Sequence, residues 1–117
     1  LVRYDMLTDK REEYYNVRDD VHSLSENFVL CTMVDRNGGV WAGTAQYGVC
    51  YTDPALDCFR RYAATSDGKS LQGCNTRGIC EDRNGDVWIT TERVGLLKYS
   101  PSINLETTTV LSNSNTM

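Results

Sequence analysis

Apolar and polar residues alternate in short runs along most of the chain, and helical spacing is absent nearly everywhere. The runs VLCTMVD, GVWAGT, GVCYTD and CFRRYA, from residue 29 to residue 63, are followed by TRGICED, DVWITT, GLLKYS and LETTTVL, from 76 to 111. Period-two alternation, β-branched and aromatic enrichment, and bounding Gly, Asn and Asp mark each run as a strand. The second set repeats the first. Asp35, Asn37, Gly38, Val40, Trp41, Thr44 and Gly48 return 47 positions on as Asp82, Asn84, Gly85, Val87, Trp88, Thr91 and Gly95, and Ser23-Leu24 returns as Ser70-Leu71. LVRYD at residues 1 to 5 resembles LLKYS at 96 to 100, so the tail of a further unit precedes the two complete ones. DKREEYYN then occupies the place of CFRRYA and is expected to be a strand.

Four antiparallel strands recurring every ~40 to 50 residues are the signature of β-propeller blades. The expected architecture is all-β, a propeller fragment of about two and a half four-stranded blades. Residues 1–16 supply the outer strands of a preceding blade, 17–64 a first full blade with its lead-in loop, 65–111 a second, and 112–117 the start of a further lead-in. With strands A to D counted from the axis outward, Asn37-Gly38 and Asn84-Gly85 join A to B. Two residues that tolerate positive φ predict a two-residue type I′ hairpin. Asp35 and Asp82 are placed to cap the turn amides, and Trp41 and Trp88 stand where the next strand re-enters the core.

Composition adds bounds. At 117 residues, 40% apolar and 24% charged, the chain is about one folded domain long, with no run near the ~20 apolar residues that span a bilayer. No direct membrane insertion is expected. A net charge of -4 from interspersed acids and bases argues against nucleic acid as a partner. The opening LVRYDML has neither the basic start nor the apolar stretch of a signal peptide and reads as mid-domain sequence, so a piece of a longer protein is expected. Five cysteines include no C-x-x-C pair. Cys31, Cys50 and Cys80 lie in apolar runs and are expected to be small buried hydrophobes. Cys58 and Cys74 flank a loop and form the one pair to test for a disulfide.

The chemistry-bearing patterns resolve into structural ones. In DRNGD, counted as a calcium loop from Asp82, the bidentate acid of position twelve is Arg93, so no metal or other cofactor is expected. An Asp-box hydrolase of the sialidase kind needs an arginine array, an acid and a nucleophile around a closed axis, which two and a half blades do not provide. His22, the only histidine, sits in a connecting loop without a serine, cysteine and acid arranged about it. No catalytic residue is expected. The longer B-to-C and D-to-A loops share one face, where a ligand would be met. Gln46 and Tyr47, and Glu92 and Arg93, are the candidate ligand-binding residues, with Tyr47 to stack on a sugar and the others to bond hydroxyls. His22, Asp67, Lys69, Gln72 and Asn75 stand in the connecting loops of that face.

SENFVLCTMVDRNGGVWAGTAQYGVCYTD and GCNTRGICEDRNGDVWITTERVGLLKYS resemble the two-component regulator propeller repeat, with its Asp-x-x-Gly-x-apolar-Trp-apolar-Gly-Thr core. The closing LSNSNTM resembles the lead-in to another blade. Thr90 replaces a glycine of the pattern, and Thr52 and Ser100 replace parts of its Tyr-Asp ending. The resemblance implies a segment of the periplasmic sensor region of a hybrid two-component system of the kind typical of gut Bacteroidetes, upstream of a membrane helix and a histidine kinase. It implies an oligosaccharide as the ligand of the full receptor. The unpaired edge strands and apolar sides of an incomplete propeller are expected to take other blades of the same propeller or further copies as packing partners. A non-catalytic scaffold for protein interaction is the alternative, and a sialidase-like hydrolase fragment the lesser one.

Overall fold

The computed structural model describes residues 1–52, 58–66 and 68–100, and the strand at 103–107 by its backbone. The described residues form strands only, as expected. β1 (Val2–Asp5) and β2 (Lys10–Glu13) make a hairpin. β3 (Val29–Val34), β4 (Val40–Thr44), β5 (Val49–Thr52) and β6 (Phe59–Tyr62) form one antiparallel sheet in chain order. β7 (Thr76–Glu81), β8 (Val87–Thr91), β9 (Leu96–Ser100) and β10 (Ile103–Thr107) form another. The innermost strands β3 and β7 adjoin, so the sheets stand side by side as blades. The expected strand at DKREEYYN is β2. The 112–117 lead-in and Asp67 lie outside the described residues.

The repeat extends to irregularities. A bulge interrupts the β3–β4 register between Val29 and Cys31, and its counterpart interrupts β7–β8 between Thr76 and Gly78. The inner hairpins also match each other, but they are not the two-residue turns the Asn-Gly pairs predict. Gly38 and Gly85 both have φ of 83°, whereas neither Asn37 nor Asn84 has a positive φ. Gly38 N–H donates to the Asp35 carbonyl at 3.0 Å and Asp35 N–H to the Gly39 carbonyl at 2.8 Å, enclosing a three-residue loop of Arg36, Asn37 and Gly38. This is an ordinary-handed turn closed by a left-handed glycine. The aspartate selects it: Asp35 Oδ1 accepts from the amides of Asn37 at 3.0 Å and Gly39 at 2.8 Å, and Asp82 Oδ1 does the same for Asn84 and Asp86.

Two apolar clusters fix the packing. Between the full sheets lie Trp41, Val49, Leu71, Val87, Ile89 and Leu97. Trp41 stacks on Tyr62 with centroids 5.9 Å apart and meets Tyr51 at 4.7 Å and Tyr99 at 5.1 Å. On the other side of the first sheet Leu24, Ala42, Cys50 and Phe59 pack with Leu1, Tyr14 and Val29, bringing the β1–β2 hairpin against it. The recurring Leu24 and Leu71 are fully buried plugs, one per cluster. Leu24 is anchored by Arg61 of β6, whose guanidinium donates to the carbonyls of Asp20, Ser23 and Leu24.

Two expectations need correction. Trp88 is only half-buried, because it points to the side of the second sheet that no described sheet covers. Cys80 lies beside it in the register and is exposed rather than buried. Cys50 is buried and Cys31 half-buried. Cys58 and Cys74 are both free thiols, so the structure holds no bridge between them.

Candidate functional site

The B-to-C loops are built by a threonine and a glycine at their ends. In the first blade Thr44 donates through both its amide and its hydroxyl to the Gly48 carbonyl, at 3.0 and 2.8 Å. Thr91 does so to Gly95, at 3.0 and 2.7 Å. The hydroxyls also accept, from Tyr47 N–H at 3.1 Å and from Val94 N–H at 3.2 Å. Each loop is a closed tip that projects its middle residues outward. Gln46, Tyr47, Glu92 and Arg93 are accordingly all exposed.

The connector between the blades joins these tips. Gly73 N–H donates to the Gln46 carbonyl at 2.7 Å, and Tyr47 and Gln72 form an isolated antiparallel bridge. On the other flank, a methyl group placed on Gly73 would lie 3.2 Å from Arg93 Nη1. Tyr47, which is 45% exposed, and Arg93 therefore border the same Gln72-Gly73 segment. Gln46 belongs to this group through its backbone, and its own amide N–H is held by Glu26 Oε2 at 2.6 Å. Sequence reasoning missed Glu26, which has no counterpart in a local strand pattern.

Glu92 does not join them. Its Oε1 lies 2.6 Å from both Nε and Nη2 of Arg77, and its amide donates to the Asn75 carbonyl at 3.2 Å. The Arg77 guanidinium, and then the Asn75 side chain, hold its carboxyl below the usual glutamate range. A carboxylate so engaged braces its loop. His22 is exposed, with its carbonyl accepting from Phe59 N–H at 2.7 Å, and Lys69 and Gln72 are exposed on the connector.

A groove lies elsewhere. It measures about 380 Å³ and runs between the β1–β2 hairpin and the first sheet, lined among others by Tyr4, Tyr14, Val34, Val40, Thr52 and Phe59. None of the four candidate residues lines it, and among the described residues no carboxylate does. Among the described residues no group of three or more His, Cys, Asp or Glu is placed to hold a metal ion. No described helix is long and apolar enough to cross a membrane.

Sheets set side by side, joined by capped turns on one rim and projecting loops on the other, define a repeat-built propeller scaffold. Residues 23–46 and 70–93 match the two component regulator propeller family, so the chain carries two of its repeats, which begin at Ser23 and Ser70 and end within the B-to-C loops. That repeat is a scaffold and not a catalytic unit. No curated protein matches the chain.

Proposed function

We propose that the chain is a segment of the periplasmic sensor region of a hybrid two-component system, where it supplies propeller scaffold for sensing an oligosaccharide and relaying occupancy to a histidine kinase. The observation that carries this reading is the pair of two-component regulator propeller repeats at 23–46 and 70–93, each ending in a projecting loop on one rim. That rim offers an exposed tyrosine and a guanidinium that border the same connector segment, with polar groups around them. Aromatic faces take up the apolar side of a sugar ring while polar groups bond its hydroxyls. In this reading Tyr47, Gln46, Glu92 and Arg93 touch ligand, and Glu92 also holds its loop in shape through Arg77.

Calorimetry of the complete ectodomain against a panel of oligosaccharides tests the proposal. Binding of one class, with affinity lowered at least tenfold by Tyr47→Ala, supports it. A receptor that binds none of them is better described as a protein-interaction scaffold.

A further inference from the structure

A side chain of the first inner turn links the full blades through several polar contacts at once. Arg36 stands in the β3–β4 turn, and its amide N–H donates to Glu81 Oε1 at 2.9 Å. Its guanidinium Nε lies 3.3 Å from Glu81 Oε2, while Nη1 and Nη2 donate to the carbonyls of Arg83 at 3.2 Å and Asp82 at 2.6 Å. A single arginine thus clamps the last residue of one inner strand and the two carbonyls that follow it. Above this clamp, Trp41 and its neighbour in the register, Met33, are covered by the second sheet.

The repeat sets the same parts on the far side of the second blade. Arg83 occupies the position of Arg36, in a turn whose glycine has the same φ of 83°. Its side chain is exposed, and among the described residues its guanidinium has no partner. Trp88 and Cys80 occupy the positions of Trp41 and Met33, half-buried and exposed respectively. Lys98 Nζ lies 5.5 Å from the Trp88 ring centroid and 3.7 Å from Asp86 Oδ2, so of these two cations Arg83 is the unengaged one among the described residues.

We propose that the Trp88 face is a docking surface for a further blade-like sheet whose innermost strand ends in a carboxylate followed by two turn carbonyls. Arg83 clamps that carboxylate and those carbonyls as Arg36 clamps Glu81, Asp82 and Arg83, and the incoming sheet covers Trp88 as the second sheet covers Trp41. The inference extends an interface already present in the fold and is independent of the sensing role. It also selects against a second copy of this chain. In such a copy Glu81 is already held by its own Arg36, and the corresponding position of its first blade is Val34, which is 66% exposed and offers no carboxylate.

The probe is this chain with a second copy of residues 65–111 joined after residue 111, which keeps the 47-residue spacing and presents a glutamate at the end of its inner strand. Exchange of the Trp88 indole N–H, resolved by NMR from the other indoles, is expected to slow at least tenfold on extension. Arg83→Ala in the extended chain reverses most of that slowing, and the same substitution in the unextended chain leaves its urea midpoint unchanged. Arg83→Glu combined with arginine in place of the copy's glutamate restores the slowing. Unslowed exchange in both the extended chain and the charge-exchanged pair overturns the proposal, and so does slowing that Arg83→Ala leaves intact.

Discussion

The indole N–H of Trp88 donates to Oδ2 of Asp82 at 2.8 Å, while Oδ1 of the same carboxylate accepts from two turn amides. Trp41 and Asp35 make the same bond at 3.2 Å. One aspartate thus shapes the inner hairpin and orients the aromatic side chain that follows it, which ties local turn geometry to packing between sheets. The Trp88 bond, followed by the amide bonds, holds the Asp82 carboxyl below its ordinary 3.8. A lowered folded value means that the charged form stabilises the fold. The contribution is present above the unfolded value and lost as pH falls through the folded one. Acid titration is therefore expected to shift the Trp88 indole N–H resonance below pH 3.8, and Asp82→Asn to remove that transition; an unchanged titration in the variant contradicts the assignment.

The two tryptophans are equivalent in sequence but not in burial. Trp41 is 2% exposed among three tyrosines, and Trp41→Ala is expected to cost about 3–5 kcal/mol, the range for truncating a large aromatic in a core. Trp88 is half-buried, so Trp88→Ala is expected to cost about 1–2 kcal/mol by the smaller apolar area it returns to water. Urea denaturation of the two variants checks the order.

Two glycines with the same φ of 83° separate backbone strain from crowding. At Gly85 an added methyl meets nothing within 4 Å, so Gly85→Ala is expected to cost only the left-handed backbone term, about 1–2 kcal/mol. At Gly48 the methyl would lie 2.3 Å from the Tyr62 carbonyl oxygen, so Gly48→Ala is expected to cost about 3 kcal/mol or more. Equal thermal midpoints for the two variants contradict this.

Tyr99 sits between the sheets, 5.4 Å from the Tyr62 ring. Burial, followed by a hydrogen bond with Tyr62, pushes its hydroxyl from the ordinary 10.0 up to about 12. The neutral form is the one the fold favours. Its contribution is fully present below pH 10 and lost as pH rises from there toward 12. Stability followed by denaturant is expected to fall across that window in the native chain and to fall less steeply in Tyr99→Phe.

Alternation and the recurrence of Asp35-to-Trp41 as Asp82-to-Trp88 carried the strands and their order, because period and turn residues are local properties. The projection of Gln46, Tyr47, Glu92 and Arg93 followed from antiparallel order alone. The hairpin type was less legible: Asn-Gly signals a tight turn, but the carboxylate two positions earlier decides which residues carry positive φ. The pairings Arg77–Glu92 and Arg36–Glu81 were not legible, since each depends on which strands adjoin and at what register. Trp88 differs from Trp41 in what covers it, and no local pattern records that.

The most direct measurement is a map of amide and side-chain NMR shifts on this chain as oligosaccharides are added. If the B-to-C rim is the sensing surface, the shifts gather at Gln46, Tyr47, Gln72, Gly73 and Arg93 and leave the Asp35 and Asp82 turns unmoved. Shifts centred on those turns or on the groove beside Phe59, or none with any oligosaccharide, would contradict it.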